Sequence, residues 1–197
     1  MGEQLRRRVA FVVSQLTNPV LAVAVGLAIM TNHYTDNFSE FVEWTVIGLA
    51  LIVGPGLVYT TVTWLRSRKI DIDISKREDR IIPLLLSTMG AVFVSFLVSS
   101  RLHSPSLVLV SYVLVAMLVF LTFITFVWKI SFHAATPAAA VTLLVLFRGP
   151  EYAWFYLAIV PVVWSRLVLK QHTPAQLAAG VLSGVALTYA AFLIFRA

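Results

Sequence analysis

The chain has 197 residues, 59% of them hydrophobic and 12% charged, with a formal net charge of +6 and no cysteine. A soluble domain carries about 25% charged residues, so there is too little polar surface to solvate this chain all round, and the bilayer must be the solvent for most of it. The missing thiols exclude disulfides and thiolate chemistry. In a soluble chain the excess of Lys and Arg would suggest nucleic acid. Here it is read as cations facing anionic headgroups at membrane ends, with no nucleic-acid partner. A phosphate-bearing substrate is the other use for the same charge.

One span takes about 20 apolar residues, so this length accommodates about six or seven spans and little else. The expectation is an all-α, polytopic transmembrane bundle forming a single membrane domain. It is multi-pass in the cell membrane, in contact with membrane lipids along most of its length. The apolar runs are continuous rather than alternating, which excludes β-barrel patterning.

Arg6, Arg7 and Arg8 precede an apolar run, as in a signal peptide. The run continues to about Met30 without a small-residue cleavage site and is read as a retained first helix. This first span covers about 9–30 and contains Asn18-Pro19, so a kink is expected there. A polar link, Thr31–Glu40, leads to a second span at about 42–64. The longest polar segment follows, LRSRKIDIDISKREDR over Leu65–Arg80. Spans three and four cover about 81–99 and 105–128. Lys129-Ile-Ser-Phe-His133 then interrupts the pattern. Two short apolar segments, about 134–147 and 152–165, are joined at Arg148-Gly-Pro-Glu151. Ser165-Arg166 opens a polar patch that runs to Gln176, and the last span covers about 174–195.

If all seven segments cross, Leu65–Arg80, Lys129–His133 and Ser165–Gln176 fall on one face. The cations Arg6–Arg8, Arg66, Arg68, Lys69, Lys76, Arg77, Arg80 and Lys170 share that face with the N-terminus, which the positive-inside rule places in the cytoplasm.

The unusual residues lie in the same three segments. Arg and His near a membrane core usually face an interior or a cavity. Two histidines with several cations at helix ends suit the handling of a phosphate ester. Cations neutralise phosphate oxygens, one imidazole attacks phosphorus, and another protonates the leaving oxygen. The three patches are Lys76-Arg77-Glu78-Asp79-Arg80-Ile-Ile-Pro83, Ser131-Phe132-His133 and Ser165-Arg166-x5-His172-x3-Gln176.

In this order they resemble the type 2 phosphatidic acid phosphatase (PAP2) superfamily, whose pattern is K-x6-R-P, then P-S-G-H, then S-R-x5-H-x3-D. The third patch matches at Ser165, Arg166 and His172, the second at Ser131 and His133. The resemblance covers roughly residues 65–190, and the third motif is its most specific part. It implies a PAP2-like catalytic core over 65–197, preceded by N-terminal transmembrane helices over 1–64. It also implies His172 as a nucleophile that forms a phosphohistidine, with Gln176 as its partner and His133 as the general acid. Arg166, Arg80, Ser131, Ser165 and Lys76 would hold the phosphoryl group. The implied activity is hydrolysis of a lipid phosphate or diphosphate, a prenyl diphosphate or a phosphatidic-acid-type substrate, with no metal and no cofactor. Family members that act on recycled carrier lipids imply an outward-facing site, against the charge count.

The departures are specific. The motif Gly is Phe132, and its Pro is Lys129 or Ile130. The final Asp is Gln176, which orients an imidazole without supplying charge. Arg80 precedes Ile81-Ile82-Pro83 rather than Pro directly, and the residue seven before it is Asp73, with Lys69 or Lys76 as substitutes from another register.

Other readings apply to the same residues. Thr173-Pro174-Ala175-Gln176 has the pattern of a capping box, a role that coexists with the catalytic one. Arg166 and Lys170 also fit snorkelling interfacial cations. Phe132 and Gln176 motivate a non-catalytic relative that binds a phospholipid. Asp71-x-Asp73 with Glu78 and Asp79 would suit Mg²⁺ in a membrane prenyl- or phosphotransferase.

Overall fold

The fold comes from a computed structural model that describes residues 2–67, 74, 76–101 and 104–196. Lys69, Asp71 and Asp73 lie outside the described residues, and with them both the first-motif register through Lys69 and the Asp71/Asp73 magnesium set. All regular structure among the described residues is helical. The helices are α1 (Glu3–Leu16), α2 (Pro19–Tyr34), α3 (Phe38–Gly48), α4 (Gly54–Ser67), α5 (Ile81–Arg101), α6 (Pro105–Val127), α7 (Phe132–Arg148), α8 (Ile159–Val168) and α9 (Pro174–Arg196). A five-residue π turn, Leu49–Val53, joins α3 to α4. A 3-10 turn, Glu78–Arg80, leads into α5, and a 3-10 stretch of 9 residues, Pro150–Ala158, leads into α8.

Five of these helical stretches are long and apolar enough to cross a membrane: Glu3–Ile29, Phe38–Arg66, Glu78–Arg101, Pro105–Val127 and Pro174–Phe195. The apolar helix Phe132–Arg148 is shorter, at 17 residues. A multi-pass helical membrane protein is therefore the coarse architecture.

Local chemistry explains the boundaries. Between α1 and α2 the Asn18 side chain accepts from the Val20 N–H at 2.9 Å, and Pro19 opens the new helix, so the Asn18-Pro19 interruption falls where the sequence puts it. Asn37 caps α3 by accepting from the Glu40 N–H at 3.0 Å. Gly149 ends α7 at φ +123, a conformation that side chains disfavour, and Pro150 follows it.

The chain divides into two compact units. The first comprises Met1–Ala22 and Lys129–Ile194, the second Val23–Trp128 with the last three residues. The second unit has a core of Trp44, Ile52, Ala91, Val94, Val98 and Leu107. Between α5 and α6, Thr88 and Thr122 share a hydrogen bond of 3.0 Å, and Ser95 and Ser111 one of 2.9 Å. Such hydroxyl pairs hold helices together where burial from water gives no driving force. At Gly90 an added Cβ would collide with the Leu51 carbonyl, so only glycine allows α5 to meet the π turn this closely.

The first unit rests on small residues. A Cβ at Gly180 would lie 2.6 Å from the Ser131 carbonyl oxygen, and one at Gly184 would strike the Ala135 carbonyl. Across this seam Ala134, Ala135 and Ala138 are wholly buried. α7 and α9 thus approach backbone to backbone, as small-xxx-small helix pairs do. α8 packs on both α7 and α1. Charge is distributed unevenly: by sequence this unit carries Arg6, Arg7, Arg8, Lys129, Arg148, Arg166 and Lys170 against Glu3 and Glu151 (7 − 2 = +5 of the chain's +6).

Candidate functional site

The second and third motifs meet at one end of the first unit. Ser131 is the residue before α7, His133 lies in its first turn, and His172 lies in the short link between α8 and α9. Two hydrogen bonds tie these segments together. Lys129 Nζ donates to the Gln171 carbonyl at 3.0 Å, and the Ser131 N–H donates to the Gln176 carbonyl at 3.4 Å. The link itself is fastened to α8 by the Gln171 N–H, which donates to the Arg166 carbonyl at 3.0 Å. Lys170 bends it with a left-handed backbone, φ 55.

Gln176 performs two tasks with one oxygen. Its Oε1 accepts from the Thr173 N–H at 3.1 Å, while the Gln176 N–H donates to Thr173 Oγ1 at 3.3 Å. That is the capping box expected from the sequence. The same Oε1 lies 3.1 Å from His172 Nδ1. Because a backbone N–H already faces this atom, it is the amide oxygen, an acceptor. In neutral His172 the proton therefore sits on Nδ1, and the lone pair is on Nε2. The imidazole is buried, with 8% of its surface exposed.

Arg166 is the largest wholly buried side chain among the described residues. Its Nη1 donates to Ser14 Oγ of α1 at 2.5 Å, and Ser14 is itself wholly buried. A snorkelling cation keeps its head in water, so burial of the guanidinium argues against that role for Arg166. Lys170, by contrast, is exposed. Ser165 Oγ donates back to the Val162 carbonyl of its own helix at 2.7 Å. Ser131 Oγ is buried and has no hydrogen-bond partner in the structure. His133 is 4% exposed, and Phe132 beside it is half-buried.

The first-motif residues belong to the second unit. Arg80 is 6% exposed, and its Nε donates to the Ile74 carbonyl at 2.6 Å. Lys76 is exposed. Among the described residues no three His, Asp or Glu side chains converge as metal ligands.

Sequence reasoning missed Ser14 and Gln171. Ser14 carried a signal, a hydroxyl within an apolar run, but nothing local names a partner 152 residues away. Gln171 acts through its backbone, which any residue type supplies. No family model, no curated protein and no solved structure matches the chain.

Proposed function

We propose that the chain is a membrane lipid phosphatase that hydrolyses a lipid phosphate or diphosphate through a phosphohistidine at His172. The observation that carries this reading is the Gln176 hydrogen-bond pair, which leaves the His172 lone pair on Nε2. A nucleophilic imidazole needs that tautomer and a fixed ring.

In the first step Nε2 attacks phosphorus, and the bond from phosphorus to the leaving oxygen breaks. His133 donates a proton to that oxygen, so the lipid alcohol, or the lipid monophosphate from a diphosphate, departs neutralised. His172 then carries positive charge and the phosphoryl group. In the second step His133, now a base, removes a proton from water. The water oxygen bonds to phosphorus, the N–P bond breaks, and inorganic phosphate leaves. Charge on the equatorial oxygens grows in both steps, and Arg166 with the Ser131 hydroxyl is assigned to them. Gln176 keeps the ring oriented but adds no anionic stabilisation, so turnover is expected to be slower than with a carboxylate at this position.

The rest of the reading rests on the resemblance to the PAP2 superfamily. It assigns Arg80 and Lys76 as phosphate-binding cations and 65–197 to a PAP2-like core. It also takes α7 and the 150–168 stretch as two further crossings beside the five long spans. The lipid chain would lie in a cleft open to the bilayer. Burial of Arg166 favours hydrolysis over lipid binding alone, since an exposed cation suffices for a headgroup.

Rapid acid-free quenching of the purified protein during turnover tests the mechanism. An acid-labile phosphate on the peptide containing His172 is expected by mass spectrometry. Turnover without any such adduct, also absent in a single turnover with enzyme in excess over substrate, would refute the covalent route.

A further inference from the structure

The first unit carries a second cationic feature that the proposed hydrolysis does not use. Between the start of α1 and the end of α8 lies an open cleft of about 420 Å³. Its walls are Glu3, Arg6 and Arg7 from α1, Leu167 and Val168 from α8, and Lys170 from the turn beyond. Three cations thus face one carboxylate.

The placement follows from helix geometry. Glu3, Arg7, Ala10 and Ser14 recur at four- and three-residue spacing, so they share one face of α1. Ala10 and Ser14 are wholly buried, and Ser14 holds Arg166 of α8. That face is therefore the one turned to α8, and it brings Arg6 and Arg7 to the cleft, while Arg8 does not line it. Arginines in the opening turns of a helix sit at the positive end of its dipole, which disfavours them unless an anion is near. Lys170 reaches the cleft from a left-handed backbone, φ 55, uncommon for a side chain of this type.

The neighbourhood points to a lipid as the source of the anion. The other side of α1 carries Leu5, Val9, Val12 and Leu16 at helical spacing, all exposed. Leu167 in the cleft wall is exposed as well. A headgroup held by Arg6, Arg7 and Lys170 would have Leu167 and Val168 of the cleft wall beside it, while the apolar stripe of α1 lies on the far side of that helix.

We propose that this cleft is a binding site for the phosphate headgroup of an anionic phospholipid, separate from the His172 site and independent of whether that site is catalytic. The reach of each cation to a phosphodiester oxygen supplies the affinity, and the apolar wall selects a lipid over free phosphate.

The test titrates delipidated full-length protein in detergent with phosphatidylglycerol, phosphatidylcholine or inorganic phosphate, read by native mass spectrometry and by thermal unfolding. Phosphatidylglycerol should form a one-to-one adduct and raise the unfolding temperature, with phosphatidylcholine at least tenfold weaker. The triple variant Arg6→Gln/Arg7→Gln/Lys170→Gln should lose the adduct at least tenfold. Arg8→Gln and His172→Ala should retain it, the latter separating this site from the proposed phosphatase centre. Should the triple variant not fold, Arg6→Gln and Lys170→Gln singly are each expected to weaken binding two- to fivefold. Equal binding by wild type and the cleft variants would overturn the site. Inorganic phosphate binding as tightly as phosphatidylglycerol would overturn its assignment to lipid.

Discussion

Gln176 Oε1 sits 3.1 Å from His172 Nδ1 and 3.1 Å from the Thr173 N–H, so one amide oxygen both starts α9 and sets the tautomer of a buried imidazole. Removing it should therefore register twice. Gln176→Ala is expected to destabilise the fold by about 1 kcal/mol through loss of the cap. Phosphate release should fall about fivefold or more, since one hydrogen bond of about 1 kcal/mol no longer orients the ring. Gln176→Glu keeps an oxygen at both contacts and adds the charge that favours imidazolium, so release should rise above wild type. Thermal unfolding and steady-state rates of the two variants check this. A Gln176→Glu protein slower than Gln176→Ala would contradict the orienting role.

A hydroxyl from the first helix helps to hold the buried guanidinium. Ser14→Ala removes the Arg166 Nη1 contact and is expected to cost about 1.5–3 kcal/mol, the range for hydrogen bonds to charged groups. Chemical or thermal unfolding in detergent measures it. A change of a few tenths of a kcal/mol would show that water or lipid replaces Ser14 readily.

Ser131 separates structure from function. Its hydroxyl is buried without a hydrogen-bond partner, so Ser131→Ala should leave stability unchanged or raise it by about 1 kcal/mol. If the hydroxyl holds a phosphoryl oxygen, the same change lowers kcat/KM about tenfold. Thr188 serves as control, since its Oγ1 is equally buried and unpartnered within α9. Thr188→Val is expected to stabilise without touching activity. A kinetic defect in both variants would point to general loosening rather than to a phosphate contact.

Much of the fold was legible in the sequence because bilayer-spanning helices need long apolar runs. The five long spans, the break at Asn18-Pro19 and the turn at Arg148–Glu151 all appear near their expected positions. Hydropathy cannot announce the nine-residue 3-10 stretch before α8, because a 3-10 and an α segment have the same composition here. Nor does it announce that residues 1–22 pack with 129–194, since the Arg166–Ser14 contact joins residues far apart in sequence. The candidate site was legible to the extent that it is built from side chains in two short motifs. Its scaffolding was not. The bonds from Lys129 to Gln171 and from Ser131 to Gln176 end on backbone carbonyls, and the Gly180 and Gly184 contacts depend on the absence of a side chain.

That glycine seam yields its own expectation. Gly184→Ala places a methyl against the Ala135 carbonyl, and Gly180→Ala places one 2.6 Å from the Ser131 carbonyl. Each should force α9 away from α7 at a cost of about 1–3 kcal/mol, as overpacking does. Gly180→Ala, one turn beyond Gln176, should also reduce activity. Unfolding midpoints near wild type for both would show that the helices separate freely.

The face of the membrane can be read with a single cysteine, because the native chain has none. Ala175 is exposed at the start of α9. On the positive-inside reading of the cations this loop is cytoplasmic, and Ala175→Cys would then react with an impermeant thiol reagent only after cells are opened. Labelling of intact cells would instead match the outward site implied by the family resemblance.

The most direct test of the central claim is phosphate release by the detergent-purified protein in EDTA. The panel is a prenyl diphosphate, a prenyl monophosphate, phosphatidic acid and phosphatidylglycerol phosphate, with His172→Ala beside wild type. Release from at least one substrate that disappears in His172→Ala is the predicted result. Release from none of them by folded wild-type protein, or release that persists in His172→Ala, would contradict a phosphatase built on this histidine.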